Sequence, residues 1–366
     1  MKKLLVSINS INENTGGGLY LRSLINELSQ DNIKLDVICK SSYNDSKKFD
    51  NNIIYLKKNF LSDLLSRCLL IPCFLGFYTF KIMSVVKNNN FCSIHFHSSR
   101  TIPIALLIRF LYKKPVYVHF DNIEYKLSIK IAKSIKEVPF RILDSIYLLL
   151  YEKVLSHYLT GVTFITKNDK DIINPHIINS IIPIKIPTSK SIIPNDLISS
   201  RCNSKKKRIL FVASFEHAPN VVAAKKVINI AQSFEHCEFL IVGRNAKRLN
   251  LFSEKSKNIS IHSDVQYSEL QKIYLNSHIV LCPVDDGGGM KTKIAEAMSF
   301  KLPVVCTTHS AIGYDSVIGQ TNLIKVVNLS NFYDGITTLL EMYDHKEILE
   351  CETEKYYNLF IKNYSY

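Results

Sequence analysis

Apolar positions in this chain fall into short continuous runs separated by amphipathic stretches, the pattern of buried parallel strands alternating with helices. Residues 3–8 form the first such run and predict a strand, followed by a polar loop over 9–15 and three glycines at 16–18. A helix is expected from Leu19 to Leu28, because Leu21, Leu24, Ile25 and Leu28 share one helical face. The next strand is predicted at 34–39. Strand, glycine loop, helix and strand open a Rossmann-like unit, although the G-x-G-x-x-G fingerprint is missing. Strands at 91–97, 115–120 and 161–166 and helices at 102–112 and across 126–159 continue the alternation. It restarts at Arg208, with strands at 208–213, 239–243 and 259–262, helices at 221–234 and 267–276, and a helical tail over 332–366.

A chain of 366 residues suits two cores rather than one. The apolar, proline-bearing run 177–187 closes the first predicted domain, residues 1–187. Residues 188–207, rich in Ser, Lys, Asn and Pro, read as a linker; 208–345 form the second domain and 346–366 a terminal helix. One stretch resists a single assignment. Residues 61–86 are strongly apolar, and 68–80 carry no charge between Arg67 and Lys81. This core is short of the roughly 18–20 residues that span a bilayer, and Pro72 and Gly76 interrupt it. It reads either as a packed core helix or as a helix lying on a membrane with basic flanks.

The charge changes the picture. Lys+Arg number 46 against 32 Asp+Glu, a net +14, and residues 1–200 carry +11 of it. An anionic partner is implied. The lysines are scattered and no nucleic-acid motif occurs, so a membrane or lipid fits better than nucleic acid. Nine cysteines without a C-x-x-C pair argue against a disulfide framework or zinc site and for a reducing cytoplasm. Met1-Lys-Lys resembles a signal-peptide start, but the apolar run after it is too short.

The candidate chemistry concentrates in residues 279–307. A strand closed by Pro283 is followed by Asp285-Asp286, Gly287 to Gly289, a helix over 290–300 and a strand at 304–306. A glycine turn entering a helix presents free backbone N–H groups and the positive end of the helix dipole, which suits a phosphate. Lys291 and Lys293 add mobile positive charge, and Glu296 lies further along the helix, where a carboxylate can accept from ribose hydroxyls.

The run Gly-Gly-Gly-Met-Lys-Thr-Lys-Ile-Ala-Glu-Ala-Met-Ser-Phe-Lys-Leu-Pro-Val-Val resembles the donor-binding motif of GT-B glycosyltransferases of family 4. The resemblance implies two Rossmann-like domains facing a central cleft, and retaining transfer from a nucleotide-sugar with no required metal or other cofactor. Gly288, Gly289, Met290 and Lys291 would contact diphosphate or sugar, and Glu296 the ribose. The glycine loop with Gly17 and Gly18 would face the diphosphate; on its own it is equally a plain strand–helix turn. A second similar segment is 115–125, where Asn122 and Glu124 match the family's strand-end pattern and Asp121 occupies the usual histidine position, two residues after His119. Asp121, Glu296 and His119 are therefore the candidate catalytic residues. Asp121 would accept a sugar hydroxyl or stabilise developing positive charge; its other reading is an Asx turn with Asn122. There are departures. Gly288 stands where many members have the first of two glutamates, and Lys301 where glycine is usual. Ser214 and Asn220 lie near the expected places of a basic pair, which leaves Arg244, Lys291 and Lys293 as the available cations.

The resemblance also implies that the terminal helix returns to the first domain. With the basic, apolar first half, it implies a saccharide acceptor on a polyprenyl diphosphate, a place on the inner face of the cytoplasmic membrane, and bacterial surface-polysaccharide assembly. Two alternatives share the sequence features: a nucleotide-sugar 2-epimerase, which needs no acceptor, and a non-catalytic nucleotide-sugar-binding scaffold.

Overall fold

The computed structural model describes every residue except 14, 31–32, 43–51, 131–137 and 251–255. The chain forms two compact units, Met1–Ile184 and Lys185–Tyr366. In the first, β1 (Lys2–Ser7), β2 (Lys34–Lys40), β3 (Asn52–Leu56), β4 (Ser93–His97), β5 (Val116–Phe120), β6 (Gly161–Phe164) and β7 (Ile178–Ile181) make one parallel sheet in the order β3-β2-β1-β4-β5-β6-β7. Its helices are α1 (Gly16–Leu28), α2 (Phe60–Cys68), α3 (Thr79–Lys87), α4 (Ile102–Tyr112), α5 (Glu124–Lys130), α6 (Val138–Lys153) and α7 (Lys167–Ile173). Parallel strands need crossovers and have both faces covered, which is why Val6, Phe96, Val118 and Phe164 are all buried in one core. The chain builds outward from β1 to β3, then returns to add β4 on the other side. The order therefore reverses between β1 and β4.

The second unit repeats the plan. α8 (Leu197–Cys202) precedes β8 (Arg208–Val212), α9 (Ala218–Ala231), β9 (Glu238–Gly243), β10 (Ile259–Ser263), α10 (Tyr267–Asn276) and β11 (Ile279–Cys282). Then come α11 (Thr292–Ser299), β12 (Val304–Cys306), β13 (Ile324–Val326), α12 (Phe332–Glu341) and α13 (Lys346–Tyr364). The sheet is parallel, in the order β10-β9-β8-β11-β12-β13, and reverses between β8 and β11.

Two segments differ from what their composition suggests. Residues 61–86 are not one helix: a left-handed Leu70 (φ 58) and Pro72 separate α2 from a short 3-10 turn (Phe74–Tyr78) and α3. Ile71, Phe74, Leu75, Ile82 and Val86 enter the core, while much of the rest stays outside it. The polar stretch 188–207 contains α8, which belongs to the second unit. α13 also belongs to the second unit, where Tyr356 donates its hydroxyl to Leu302 O (2.9 Å) and Tyr364 to Gly313 O (2.9 Å).

Arg201 explains why α8 is held. Its guanidinium is 2% exposed and donates to the carbonyls of Tyr274 (3.1 Å), Leu275 (3.3 Å), Phe300 (3.1 Å) and Lys301 (2.8 Å). These carbonyls end α10 and α11, so one buried cation closes two helix C-termini whose dipoles point their negative ends at it. Burial lowers its pKa to about 10, which leaves it charged at neutral pH. Arg201→Met removes the donors and keeps the volume. It is expected to destabilise the protein by about 3 kcal/mol or more, measured by urea unfolding.

Candidate functional site

In open parallel sheets ligands sit at the carboxyl ends of the strands, where the strand order reverses. Each unit has such an edge. In the second unit it lies between the loops after β8 and β11. Gly287 (φ 101) and Gly289 (φ 67) adopt backbone angles that side chains disfavour, and this turns the chain sharply from β11 toward α11. Lys291 folds back over the turn, its ammonium donating to the carbonyls of Gly287 (3.4 Å), Gly288 (3.0 Å) and Gly289 (3.2 Å). The start of α11 is braced from outside. Tyr314 donates its hydroxyl to Lys291 O (2.9 Å) and accepts from Ala295 N–H (3.0 Å). Met290 is buried beneath the turn and Gly288 is exposed on it.

Lys293 crosses toward the loop after β8. Its ammonium lies 3.5 Å from Asn220 Oδ1 and 5.0 Å from the centre of the Phe211 ring. Asn220 in turn donates to Ser214 O (2.8 Å). Glu296, one turn further along α11, accepts from the Tyr274 hydroxyl (2.9 Å). Burial raises the Glu296 pKa, while the Tyr274 hydrogen bond and the positive charge of Lys293 pull it down. Arg244, after β9, has an exposed side chain, and its carbonyl accepts from Phe215 N–H (2.9 Å), tying two strand-end loops together. The preceding Gly243 has no substitute: a Cβ there would lie 1.7 Å from Ala213 O. The structure thus brings Gly288, Gly289, Met290, Lys291, Lys293 and Glu296 into one neighbourhood, with Arg244 two strands away across β8. A cavity of 220 Å³ lined by Asp285, Thr307, His309 and Asn328 adjoins the turn. A larger one, 270 Å³, lies around Arg208 and His278 at the amino ends of the strands, the wrong edge for this chemistry. Among the described residues, no three His, Cys, Asp or Glu side chains are grouped as a metal site would need.

In the first unit the strand register sets Ser7 beside His97 and His97 beside His119. Asp121 leaves the end of β5, 9% exposed, with Oδ2 3.6 Å from His97 Nε2. His97 Nδ1 is hydrogen-bonded to Ser7 Oγ (2.9 Å), and the Tyr20 ring of α1 meets its imidazole edge-on at 5.3 Å. Neither His97 Nε2 nor Asp121 Oδ1 has a hydrogen-bond partner among the described residues. The following residue, Ser98, holds φ 84, a sparsely populated backbone angle outside glycine. Gly17 and Gly18, at the start of α1, pack closely on the loop after β1. A Cβ on Gly17 would lie 2.4 Å from the Asn9 side chain, and one on Gly18 2.2 Å from Glu13 O.

His119 sits one row deeper. It is 1% exposed, with Nε2 bound to His95 Nδ1 (3.0 Å) and Nδ1 to the Thr163 hydroxyl (2.7 Å). Burial holds both imidazoles well below their ordinary pKa, His95 at about 3, so this ladder is neutral at physiological pH. The imidazole beside Asp121 is that of His97, which sequence reasoning missed. Its signal was available: His97 ends a strand in the run Ser-Ile-His-Phe-His, two positions after His95. Tyr274 and Tyr314 were also missed, and nothing in their local sequence marks them.

The turn carrying Asp121 is clamped from below. Glu152 accepts from the N–H groups of Glu124 (2.9 Å) and Tyr125 (3.3 Å) and from the Ser99 hydroxyl, capping α5 from another helix. Arg100 grips the Glu124 carboxylate through Nε (2.9 Å) and Nη2 (2.6 Å). Burial pushes the Glu152 carboxyl up to about 7, from an ordinary 4.5. Because the folded-state value lies above the unfolded one, this group favours folding fully below pH 4.5 and loses that contribution as pH rises through about 7. Glu152→Gln is expected to flatten the fall in Tm across this window, as read by thermal unfolding at several pH values. Tyr274→Phe keeps the ring and removes the hydrogen bond that lowers the Glu296 pKa. The carboxyl of Glu296 should then titrate higher than in the unmodified protein, as followed by carboxyl-carbon NMR.

Comparison with known proteins agrees with this geometry. Residues 206–342, most of the second unit, match the family model for "Glycosyl transferases group 1". A search of curated proteins returned no match in sequence. Solved structures match over nearly the whole chain at low identity. A sucrose-phosphate synthase from Thermosynechococcus elongatus superposes with a TM-score of 0.74 at 12% identity, covering 100% of this chain and 95% of the other. HepE from Anabaena, in complex with UDP, gives 0.67 at 12% identity over 100% and 96%. The lipopolysaccharide outer core galactosyltransferase WaaB gives 0.66 at 12% identity over 99% and 98%. Residues 206–342 thus match the group 1 family model within a chain of two parallel α/β sheets that shares the GT-B fold, and the protein is a glycosyltransferase.

Proposed function

We propose that the protein is a retaining glycosyltransferase that moves a sugar from a nucleotide-sugar to a lipid-linked saccharide in bacterial surface-polysaccharide assembly. The observation that carries this reading is the turn at Gly287 to Gly289. It sits at the strand-order reversal, with Lys291, Lys293 and Glu296 within one helical turn or so of it. The positive end of the α11 dipole and the Lys293 ammonium suit a diphosphate. Glu296 suits ribose hydroxyls, since Tyr274 holds one of its oxygens and the other is left to a ligand. HepE was solved with UDP and with UDP-glucose, which supports a nucleotide-sugar in the corresponding place here. WaaB acts on the lipopolysaccharide outer core, which supports a polysaccharide context.

In this reading the bond between the sugar's anomeric carbon and the phosphate oxygen breaks as the bond to the acceptor hydroxyl forms. The hydroxyl proton passes to the departing diphosphate on the same face, and the configuration is retained. Lys293, Lys291 and Arg244 stabilise the negative charge that builds on the leaving group. Asp121 is the carboxylate assigned to a sugar hydroxyl, with the His97 imidazole beside it. His119 supports it from within the sheet, and Gly17 and Gly18 allow the α1 loop its close packing. The reaction as written needs no metal or other cofactor. The enzyme would work at the inner face of the cytoplasmic membrane, where a lipid-linked acceptor is found.

The test is a donor screen by calorimetry with UDP-, GDP-, ADP- and dTDP-sugars. One nucleotide class is expected to bind, with affinity reduced about tenfold or more, 1.4 kcal/mol, in Lys293→Ala and in Glu296→Ala. Slow release of free sugar would accompany binding. Binding without turnover in the presence of lipid acceptors would favour the scaffold, and conversion of free UDP-sugar to its C2 epimer would favour the epimerase. No binding of any donor would sink the reading.

A further inference from the structure

Two helices of the first unit turn much of their apolar surface outward. α2 buries Ser62 and Ser66 and turns Phe60, Leu61, Leu64 and Leu65 to the solvent, continued by Leu69 and Leu70. The buried serines are satisfied internally: Ser66 donates to Ser62 O (2.6 Å) and accepts from Phe77 N–H (2.8 Å). α6 buries two carboxylates beside Leu148 and Tyr151. Asp144 and Glu152 point inward, while Ile142, Leu143, Ile146, Leu149, Leu150 and Val154 are 43% to 57% exposed. A helix facing water shows the opposite arrangement. Neighbouring elements extend the surface. α4 presents Leu107, Phe110 (81% exposed) and Leu111, and the stretch leading into α3 presents Phe77 and Phe80 (83%).

These elements adjoin one another. Arg67 of α2 is ion-paired with Asp144 of α6, and the Tyr151 hydroxyl of α6 donates to Leu70 O. α4 packs on both α3 and α6, and these three helices border one core. Single exposed apolar residues are ordinary, but a contiguous face of this extent marks an interaction site.

Its charge selects the partner. Residues 57–160 hold 15 Lys+Arg and 6 Asp+Glu. Four of those acids, Asp121, Glu124, Asp144 and Glu152, are buried, and Asp63 is paired with Lys58. Lys57, Lys81, Lys87 and Lys113 are exposed at the ends of the same helices. A second copy of the chain would bring a like-charged rim against this one. A bilayer with anionic headgroups satisfies both the apolar centre and the basic rim. No described helix is long and apolar enough to cross a membrane, so the contact lies in the membrane plane.

The geometry points to α2, α3, α4 and α6 as a single docking face for an anionic phospholipid bilayer. Their apolar side chains enter the acyl boundary and their lysines meet the phosphates. This rests on the membrane part of the proposed function and on no step of sugar transfer.

The test is flotation of the full chain with vesicles of phosphatidylcholine alone or mixed equally with phosphatidylglycerol. At least tenfold tighter binding to the mixed vesicles is expected, weakening as salt is raised. Two double variants, Phe80→Ser with Phe110→Ser and Ile146→Ser with Leu150→Ser, should each weaken vesicle binding at least tenfold. Circular dichroism and donor calorimetry should stay unchanged in both. Failure of the unmodified chain to float, or unchanged flotation of both variants, would overturn the inference. So would a concentration-dependent dimer, seen by sedimentation, that the same substitutions dissolve. Donor binding by a chain that ignores vesicles would remove the docking face alone; vesicle binding without any donor would remove the transfer reading alone.

Discussion

Parallel strands are the constraint from which the rest of this molecule follows. Because each strand must be reached by a crossover, every strand in a sheet ends on the same edge, and the loops that leave it are free to carry chemistry. Where the strand order reverses, adjacent loops part to opposite faces and leave room between them. In the first sheet that edge holds Ser7, His97 and Asp121; in the second it holds the turn at Gly287 to Gly289 and the loop before Asn220. Crowding at these edges accounts for two glycines. Gly18 and Gly243 are there because a backbone carbonyl, of Glu13 or of Ala213, occupies the space a Cβ would need.

The polar interior divides into two kinds. Several groups deep in the units are fully paired: Arg201 with four carbonyls, His119 with His95 and Thr163, Glu152 with two N–H groups and a hydroxyl. An unpaired group there would cost about 1–3 kcal/mol. The carboxyl edge of the first sheet holds two atoms of the other kind. His97 Nε2 and Asp121 Oδ1 stand without partners among the described residues, next to the strained backbone of Ser98. Buried polar atoms left open beside a strained residue at a strand-order reversal are what a binding site carries before its ligand arrives. The outer helices depart from the usual pattern in another way, placing serines and carboxylates inside and most of their leucines outside. In water alone that arrangement exposes apolar surface without return, and against a bilayer it becomes favourable.

Much of this was legible along the chain. Strands buried on both faces read as apolar runs, so β1, β2, β4, β11 and β12 fall close to where the runs at 3–8, 34–39, 91–97, 279–282 and 304–306 place them. The turn and helix of 287–296 were legible because their parts are contiguous: glycines, lysines and a glutamate within ten residues need no tertiary information to be seen together. The pattern gave no warning of Arg201. A polar stretch rich in Ser, Lys and Asn reads as a linker, and only the carbonyls of residues 73 to 100 positions away make its arginine an interior group. Likewise, periodicity identifies the apolar faces of α2 and α6 without telling which way they point.

What the sequence alone determined, then, is what local spacing controls: the alternation of strand and helix, the two-unit plan, and the contiguous run of glycines, lysines and a glutamate at 287–296. Tertiary structure decided the contacts whose partners are distant. It set His97 rather than His119 beside Asp121 through strand register, bound Tyr274 to Glu296 across 22 residues, and turned the apolar faces of α2 and α6 outward. The physical reason is common to all three. Backbone periodicity states which side chains share a face, but only the packing of one element on another states what that face meets.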